Sequence, residues 1–292
     1  MLEIISDPQS MRSEVLKARA AGHRIGFVPT MGALHAGHAS LVARAVRECE
    51  AVAVSIFVNP TQFGPAEDFE RYPRQLQADC QLLNEWKVRW VFAPEAAAIY
   101  PPGAATRVGV GGPAGCFEGE VRPGHFEGVA TVVCRLFLAV PAEAAYFGAK
   151  DWQQTLVVKR MVCDLGLAVD VVVCPTVREP DGLAMSSRNA LLTPDERHRA
   201  VALFESLCCA ERMWLAGFAV AGIEQAMREA LQARSVSVDY AVVVAADSLE
   251  PYDASLAVSQ SGAKALPVPV ALVAGRVGST RLIDNRVLPA RT

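Results

Sequence analysis

The chain has 292 residues, 52% of them hydrophobic and 20% charged, with 28 Lys and Arg against 31 Asp and Glu for a net charge of −3. That is enough apolar material for one large or two ordinary cored domains, and the slightly acidic balance supplies no overall positive field for nucleic acid. No apolar run approaches the roughly 18 residues of a membrane span; the amino-terminal MLEIISDPQSMRSE lacks the basic-then-apolar order of a secretion signal, so the cytoplasm is the expected compartment.

In chain order, short apolar runs predict strands near 24–29 (RIGFVP), 51–58 (AVAVSIFV), 88–92 (VRWVF), 144–147 (AAYF) and 169–174 (VDVVVC). Several are apolar on consecutive residues, as strands covered on both faces are. Helices are expected between them near 38–49, 74–86, 126–139 and 151–165, the alternation of a parallel sheet with crossover helices. The Gly- and Pro-rich PPGAATRVGVGGPAG reads as a loop with a short edge strand. After Thr176 the pattern changes. Thr193, Pro194 and Glu196 spell a helix start, with threonine as N-cap, proline at the first helical position and glutamate at the third. Helices near 194–215 and 222–233 and strands near 238–245, 268–274 and 280–283 suggest a smaller α+β domain. The eight cysteines form no C-x-x-C pair and mostly have apolar neighbours, so buried, reduced thiols are expected.

In an open parallel sheet, ligands bind beyond the carboxyl ends of the strands, where loops meet helix amino termini. The loops there read TMGALHAGH, NPTQFG, APEAAAIYPP, GAKDWQQ and PTVREPDGLAMSSRN. Four of the five are dense in groups that bind or react, and His, Lys, Ser and Arg together suit a polyphosphate. His35 and His38 at a helix start could hold zinc, but the pair lacks the H-E-x-x-H glutamate, and a catalytic zinc needs a third protein ligand. They could equally be helix-capping or surface histidines. Gly37, which lets backbone approach closely, and the positive end of the helix dipole favour phosphate. MSSRN, at 185–189, is a turn on the plain reading and a flap closing over phosphates on the functional one. Lys150 and Asp151 open a helix and are either solvated or aimed at phosphate and ribose.

H-A-G-H after the first strand and M-S-S-R after the last resemble the HIGH and KMSKS signatures of nucleotidyl-transferring enzymes, class I aminoacyl-tRNA synthetases among them. PTMGALHAGH, SIFVNPTQF, YPR, RPGHFEGVATVV, YFGAKDWQQ, DGLAMSSRN and RLIDN, in this order from residue 29 to residue 285, resemble more closely the pantothenate synthetase (pantoate–β-alanine ligase) family. The resemblance implies an α/β fold with a Rossmann-like, doubly wound parallel sheet in residues 1–176, binding nucleotide and pantoate, and a smaller α+β lid in 177–292. It also implies a homodimer and a two-step reaction with ATP and Mg²⁺: pantoate is adenylated with release of pyrophosphate, then β-alanine displaces AMP. Small molecules, and neither nucleic acid nor membrane, are the implied partners. A tRNA synthetase fits less well, because the chain carries no basic anticodon-binding extension.

Carried over by position, Met31, Gly32, Ala33, Leu34, His35, Ala36, Gly37 and His38 match the first ATP motif, with His38 the implied proton donor and His35 beside the phosphates. Gly148, Ala149, Lys150 and Asp151 match the second, Lys150 toward phosphate and Asp151 toward ribose. Val177 matches the position whose backbone meets adenine; Met185, Ser186, Ser187 and Arg188 match the closing phosphate loop, and Gln62 and Gln154 the pantoate-binding amides. Met31, Phe63, Val132 and Val133 are the implied apolar wall for pantoate's methyls, and the Mg²⁺ ligands stay open. Ala149 stands where the family often has glutamate or glutamine, and Trp152 where a smaller aromatic is usual. A related enzyme acting on a different small acid, or a nucleotide sensor without turnover, would share part of this pattern.

Overall fold

A computed structural model describes residues 2–65, 69–252 and 267–291. The chain forms two compact units, Met1–Ala149 with Gln153–Val177, and Lys150–Trp152 with Arg178–Thr292. Part of the segment VSQSGAKALPVPVALVAG (258–275) lies outside the described residues.

In the first unit the elements run β1 (Glu3–Ile5), α1 (Pro8–Ala20), β2 (Ile25–Thr30), α2 (Ala36–Glu48), β3 (Ala51–Ile56), α3 (Leu76–Glu85), β4 (Trp90–Phe92), α4 (Ala96–Ile99), α5 (Glu118–Val121), α6 (His125–Ala139), β5 (Ala144–Gly148), α7 (Trp152–Leu165, whose first residue clusters with the second unit) and β6 (Asp170–Cys174). All six strands pair in parallel, in the order β1-β4-β3-β2-β5-β6. Successive side chains of a strand face opposite ways, which sorts the core into two layers. Ile25, Phe27, Ala53, Trp90, Phe92 and Phe147 pack with α1, α6 and α7, while Val28, Val52, Val54, Val91 and Tyr146 pack with α2 and α3. Because both faces are covered, the strands carry no polar alternation. From β2 the chain steps outward one way through β3 and β4, then returns to the other side of β2 with β5, so the carboxyl ends of β2 and β5 flank the sheet's switch point.

The first strand and helix were not expected. Yet α1 has a plain start, with the Asp7 carboxylate accepting from Ser10 N at 2.7 Å and Pro8 at the first position. Its buried stripe is only Met11, Val15 and Ala18. The edge strand expected within 101–115 is absent: that stretch has no strand, and β1 and β6 occupy the sheet's edges. Of the cysteines, only Cys49 and Cys174 are buried, while Cys163 is exposed, so the expectation of a buried set holds for two of them; none forms a disulfide.

The second unit carries α8 (Pro194–Ala200), α9 (Ala202–Leu215), α10 (Val220–Ala233), β7 (Ser237–Ala245), β8 (Pro269–Val277) and β9 (Thr280–Val287). The single helix expected over 194–215 is interrupted at Val201, while the Thr193–Glu196 capping box forms as the sequence predicts. The three strands make an antiparallel sheet in chain order, and Leu203, Leu207, Trp214, Ile223, Met227 and Leu231 of α9 and α10 pack on Ala241, Val243, Ala271 and Val273. Among the described residues no helix is long and apolar enough to cross a membrane.

Candidate active site

The loop leaving β2 is held by buried polar groups. Thr30 Oγ1 donates to the Ser55 carbonyl at 2.6 Å and accepts from Gly32 N at 3.1 Å. Gly32 and Ala33 then both take left-handed backbone, with φ of 83° and 52°. Alanine rarely adopts that conformation. Asp79 of α3, fully buried, accepts from Ala33 N at 3.0 Å and Leu34 N at 2.9 Å and so fixes it. A Cβ on Gly32 would lie 3.0 Å from both Asp79 Oδ2 and Ile56 Cγ2, so a side chain there would be crowded as well as strained by φ.

This loop delivers His35 as the N-cap of α2 and His38 as its third residue. His35 Nδ1 accepts from Gly37 N at 3.1 Å, and His38 Nδ1 accepts from His35 N at 3.3 Å, a capping box built from two imidazoles. The rings lie 4.2 Å apart between centroids. A ring nitrogen that accepts a backbone N–H carries no proton, so in both neutral rings the proton sits on Nε2. The capping and phosphate readings of these histidines are therefore compatible, since Nδ1 serves the helix and Nε2 carries the proton. Among the described residues no three His, Cys, Asp or Glu side chains group as metal ligands would.

Beyond β3, Asn59 organises a tight turn over Pro60–Gln62. Its side chain, 1% exposed, donates to Gln62 Oε1 at 3.0 Å and to the Gly128 carbonyl at 3.2 Å, and accepts from the Tyr100 hydroxyl at 2.8 Å. With its oxygen so engaged, Gln62 presents its amide nitrogen, which lies 3.4 Å from Met31 Sδ. The RPGHFEG segment clamps the same turn: His125 Nδ1 donates to the Gln62 carbonyl at 2.9 Å, and Arg122 bridges to His125 Nε2 at 3.1 Å. Phe63 stacks edge-on with Phe69 and Tyr72, whereas Val132 and Val133 are buried in the sheet's core layer on α6.

Of the adjacent glutamines on α7, Gln153 is buried and structural, donating to the Pro113 and Cys116 carbonyls at 2.7 Å each, while Gln154 is part-exposed. Gly148 ends β5 and Ala149 opens a 3-10 turn. Val177 is the last residue of the first unit.

Lys150, Asp151, Met185, Ser186, Ser187 and Arg188 belong to the second unit. Lys150 Nζ is 3.3 Å from Asp151 Oδ1. Trp152, the atypical aromatic, donates its indole N–H to the Ala246 carbonyl at 2.9 Å. Ser186 caps a 3-10 turn over Ser187–Leu191, its Oγ accepting from Arg188 N at 3.3 Å. Asn189 closes that turn onto the preceding hairpin through Glu179 Oε1 and the Ala184 carbonyl, at 2.9 and 3.1 Å. Arg197, paired with Glu179 and Asp181, holds both carboxyls below the usual range.

The pantoate-beta-alanine ligase family model matches residues 3–287. The chain belongs to that family. A pantothenate synthetase of Roseiflexus castenholzii is 50% identical over 280 residues, covering 95% of this chain and 97% of that one. One from Thermus thermophilus is 51% identical over 277 residues, covering 94% and 97%. A crystal structure of pantothenate synthetase from Thermus thermophilus superposes with a TM-score of 0.89 at 47% identity, covering 98% of this chain and all of that one. A pantoate-beta-alanine ligase from Francisella tularensis, complexed with beta-gamma ATP and beta-alanine, gives 0.79 at 33% identity with 98% of each chain covered. A pantoate-beta-alanine ligase is an enzyme that forms a C–N bond, and the family's reaction passes through an acyl adenylate. Asn59, Asp79, Arg122 and His125 carry no individual signal in the sequence, although the NPTQF and RPGHF runs contain three of them.

Proposed function

We propose that the chain activates pantoate with ATP and transfers the pantoyl group to β-alanine. In the first step a pantoate carboxylate oxygen bonds to the α-phosphorus and the bond to the β-phosphate oxygen breaks, releasing pyrophosphate. In the second the β-alanine amine attacks the acyl carbon, the C–O bond to AMP breaks, and the amine loses a proton. A carboxylate is a poor electrophile; AMP makes it a good one.

The observation that carries this reading is the imidazole pair at the start of α2, with each Nδ1 accepting from the backbone and the ring proton therefore on Nε2. Oriented N–H donors at a helix start stabilise charge spreading over phosphoryl oxygens. His38 and His35 take that role, with the backbone of Met31–Gly37 around them. Lys150 and Arg188 supply fixed positive charge, Ser186 and Ser187 hydroxyl donors, and Met185 completes the loop. Gly148 and Ala149 offer backbone and Asp151 a carboxylate to the ribose, and the Val177 backbone meets adenine. Gln62 and Gln154, neutral amides, bind pantoate without quenching its carboxylate, and Met31 and Phe63 line its methyl side; Val132 and Val133 act from the core behind. Mg²⁺ enters with ATP as substrate, held by phosphate oxygens and its own waters. Residues 1–176 form the nucleotide- and pantoate-binding domain and 177–292 the lid, in a cytoplasmic homodimer whose ligands are small molecules.

AMP release, measured with each substrate omitted in turn, tests this: AMP appears only with ATP, pantoate and β-alanine together, and normal ATP binding without AMP rejects the enzyme reading. Exchange of pyrophosphate into ATP that needs no pantoate rejects the choice of acid. If Ser187 and Arg188 close over phosphates, ATP slows amide hydrogen exchange across 185–188; equal exchange with and without nucleotide counts against closure.

A further inference from the structure

The RLIDN run has no role in the scheme above. In the structure it lies in β9, where Asp284 and Asn285 are 3% and 6% exposed. A buried carboxylate next to a buried amide needs partners, and both have them within the second unit. Asp284 receives the Arg178 guanidinium as a two-pronged pair at 2.6 and 3.0 Å. Burial pushes the Asp284 carboxyl upward, and the Arg178 pair, with Lys150's charge, opposes the shift.

Arg178 also donates to the Gly182 carbonyl at 3.0 Å and the Asn285 carbonyl at 3.3 Å, and lies 4.8 Å from the centroid of the Phe204 ring. Gly182, with φ of 95°, sits on that same ring, and a Cβ there would overlap it. The turn 178–184 is thus rooted on Asp284. The segment 185–188 hangs between Ala184 and Asn189, both tied to that turn. On the adjacent position of the strand, Asn285 donates from Nδ2 to the Lys150 carbonyl at 2.8 Å. One pair of residues therefore grips the backbone that carries Lys150 and the turn that carries Ser186, Ser187 and Arg188.

We propose that Asp284 and Asn285 are positioning residues for ATP, setting the register between Lys150 and the 185–188 segment. The inference rests on the assignment of those two segments to the phosphates. A buried ion pair adds little stability over a well-packed apolar pair, but a planar fork fixes orientation in a way that apolar contact does not.

Steady-state kinetics on the full chain tests it. Asn285→Ala raises KM for ATP by about tenfold, the scale of losing one buried hydrogen bond and leaving its partner unmatched, while KM for pantoate and β-alanine stays within about twofold and the thermal midpoint identifies folded protein. The double variant Arg178→Met, Asp284→Leu guards against misfolding: it keeps an apolar pair in place, so a normal thermal midpoint with a raised ATP KM supports positioning. A normal ATP KM in that variant, or an Asn285→Ala effect spread equally over all three substrates, overturns it. Lys150→Ala separates the two layers of argument. If it raises ATP KM and Asn285→Ala does not, positioning fails alone; if Lys150→Ala leaves ATP KM unchanged, the phosphate assignment itself falls.

Discussion

His38→Ala lowers the single-turnover rate of adenylate formation by roughly 10²-fold or more, the scale of losing one aimed donor in a preorganised site. The ring does two jobs. Its Nδ1 accepts from His35 N, and its Nε2–H is the donor assigned to the phosphoryl oxygens. Losing the first costs about 1 kcal/mol of helix capping, which lowers stability but does not by itself slow chemistry. His38→Gln separates the jobs, because glutamine at the third helical position completes a capping box. That variant keeps the wild-type thermal midpoint, so a rate loss measured in it belongs to the missing imidazole. Rapid-quench measurement of pyrophosphate release decides the matter: an unchanged rate in folded His38→Ala removes His38 from the chemistry.

Gly128→Ala is the second large effect, and it comes from a glycine of the RPGHFEG run to which the resemblance assigns no ligand. A Cβ there would overlap the Thr61 carbonyl oxygen and come within 2.6 Å of its carbon and 2.8 Å of the Gln62 Cα. All three neighbours are backbone, so no side chain can swing away. Either α6 retreats or the Pro60–Gln62 turn shifts, and the Asn59 bond to the Gly128 carbonyl is strained in both cases. Overpacking of this kind costs about 1–3 kcal/mol, and a displacement near 1 Å at a positioning residue can cost about 10²-fold in rate. The expected result is a lowered thermal midpoint with kcat/KM for pantoate reduced by at least about tenfold. Gly109→Ala, where an added Cβ meets nothing within 4 Å, serves as the neutral control. A Gly128→Ala enzyme with normal pantoate kinetics and normal stability would show that Gln62 does not depend on this packing.

Short-range chemistry explains which parts were readable from the residues alone. The strands of the parallel sheet stood out because burial on both faces leaves them continuously apolar, and the Thr193 start stood out because capping acts within one helical turn. Asp7 and Pro8 offered the same kind of signal for α1, but its three-residue apolar stripe is too thin to stand out. The edge strand expected within 101–115 failed for the opposite reason: local residues permit extended backbone, but β1 and β6 already form the sheet's edges.

By itself the sequence determined the α/β plan, the second α+β unit, and the loops in which His35, His38, Gln62, Lys150 and Arg188 sit, since periodicity, caps and motif spacing are local properties. Tertiary structure alone decided which polar groups hold those loops still. Asp79 reaches back 46 residues to the Ala33 amide, and Arg178 reaches forward 106 to Asp284. A buried carboxylate looks like any other in sequence until the fold brings its donors to it, because a hydrogen bond acts over about 3 Å of space and carries no record of separation along the chain.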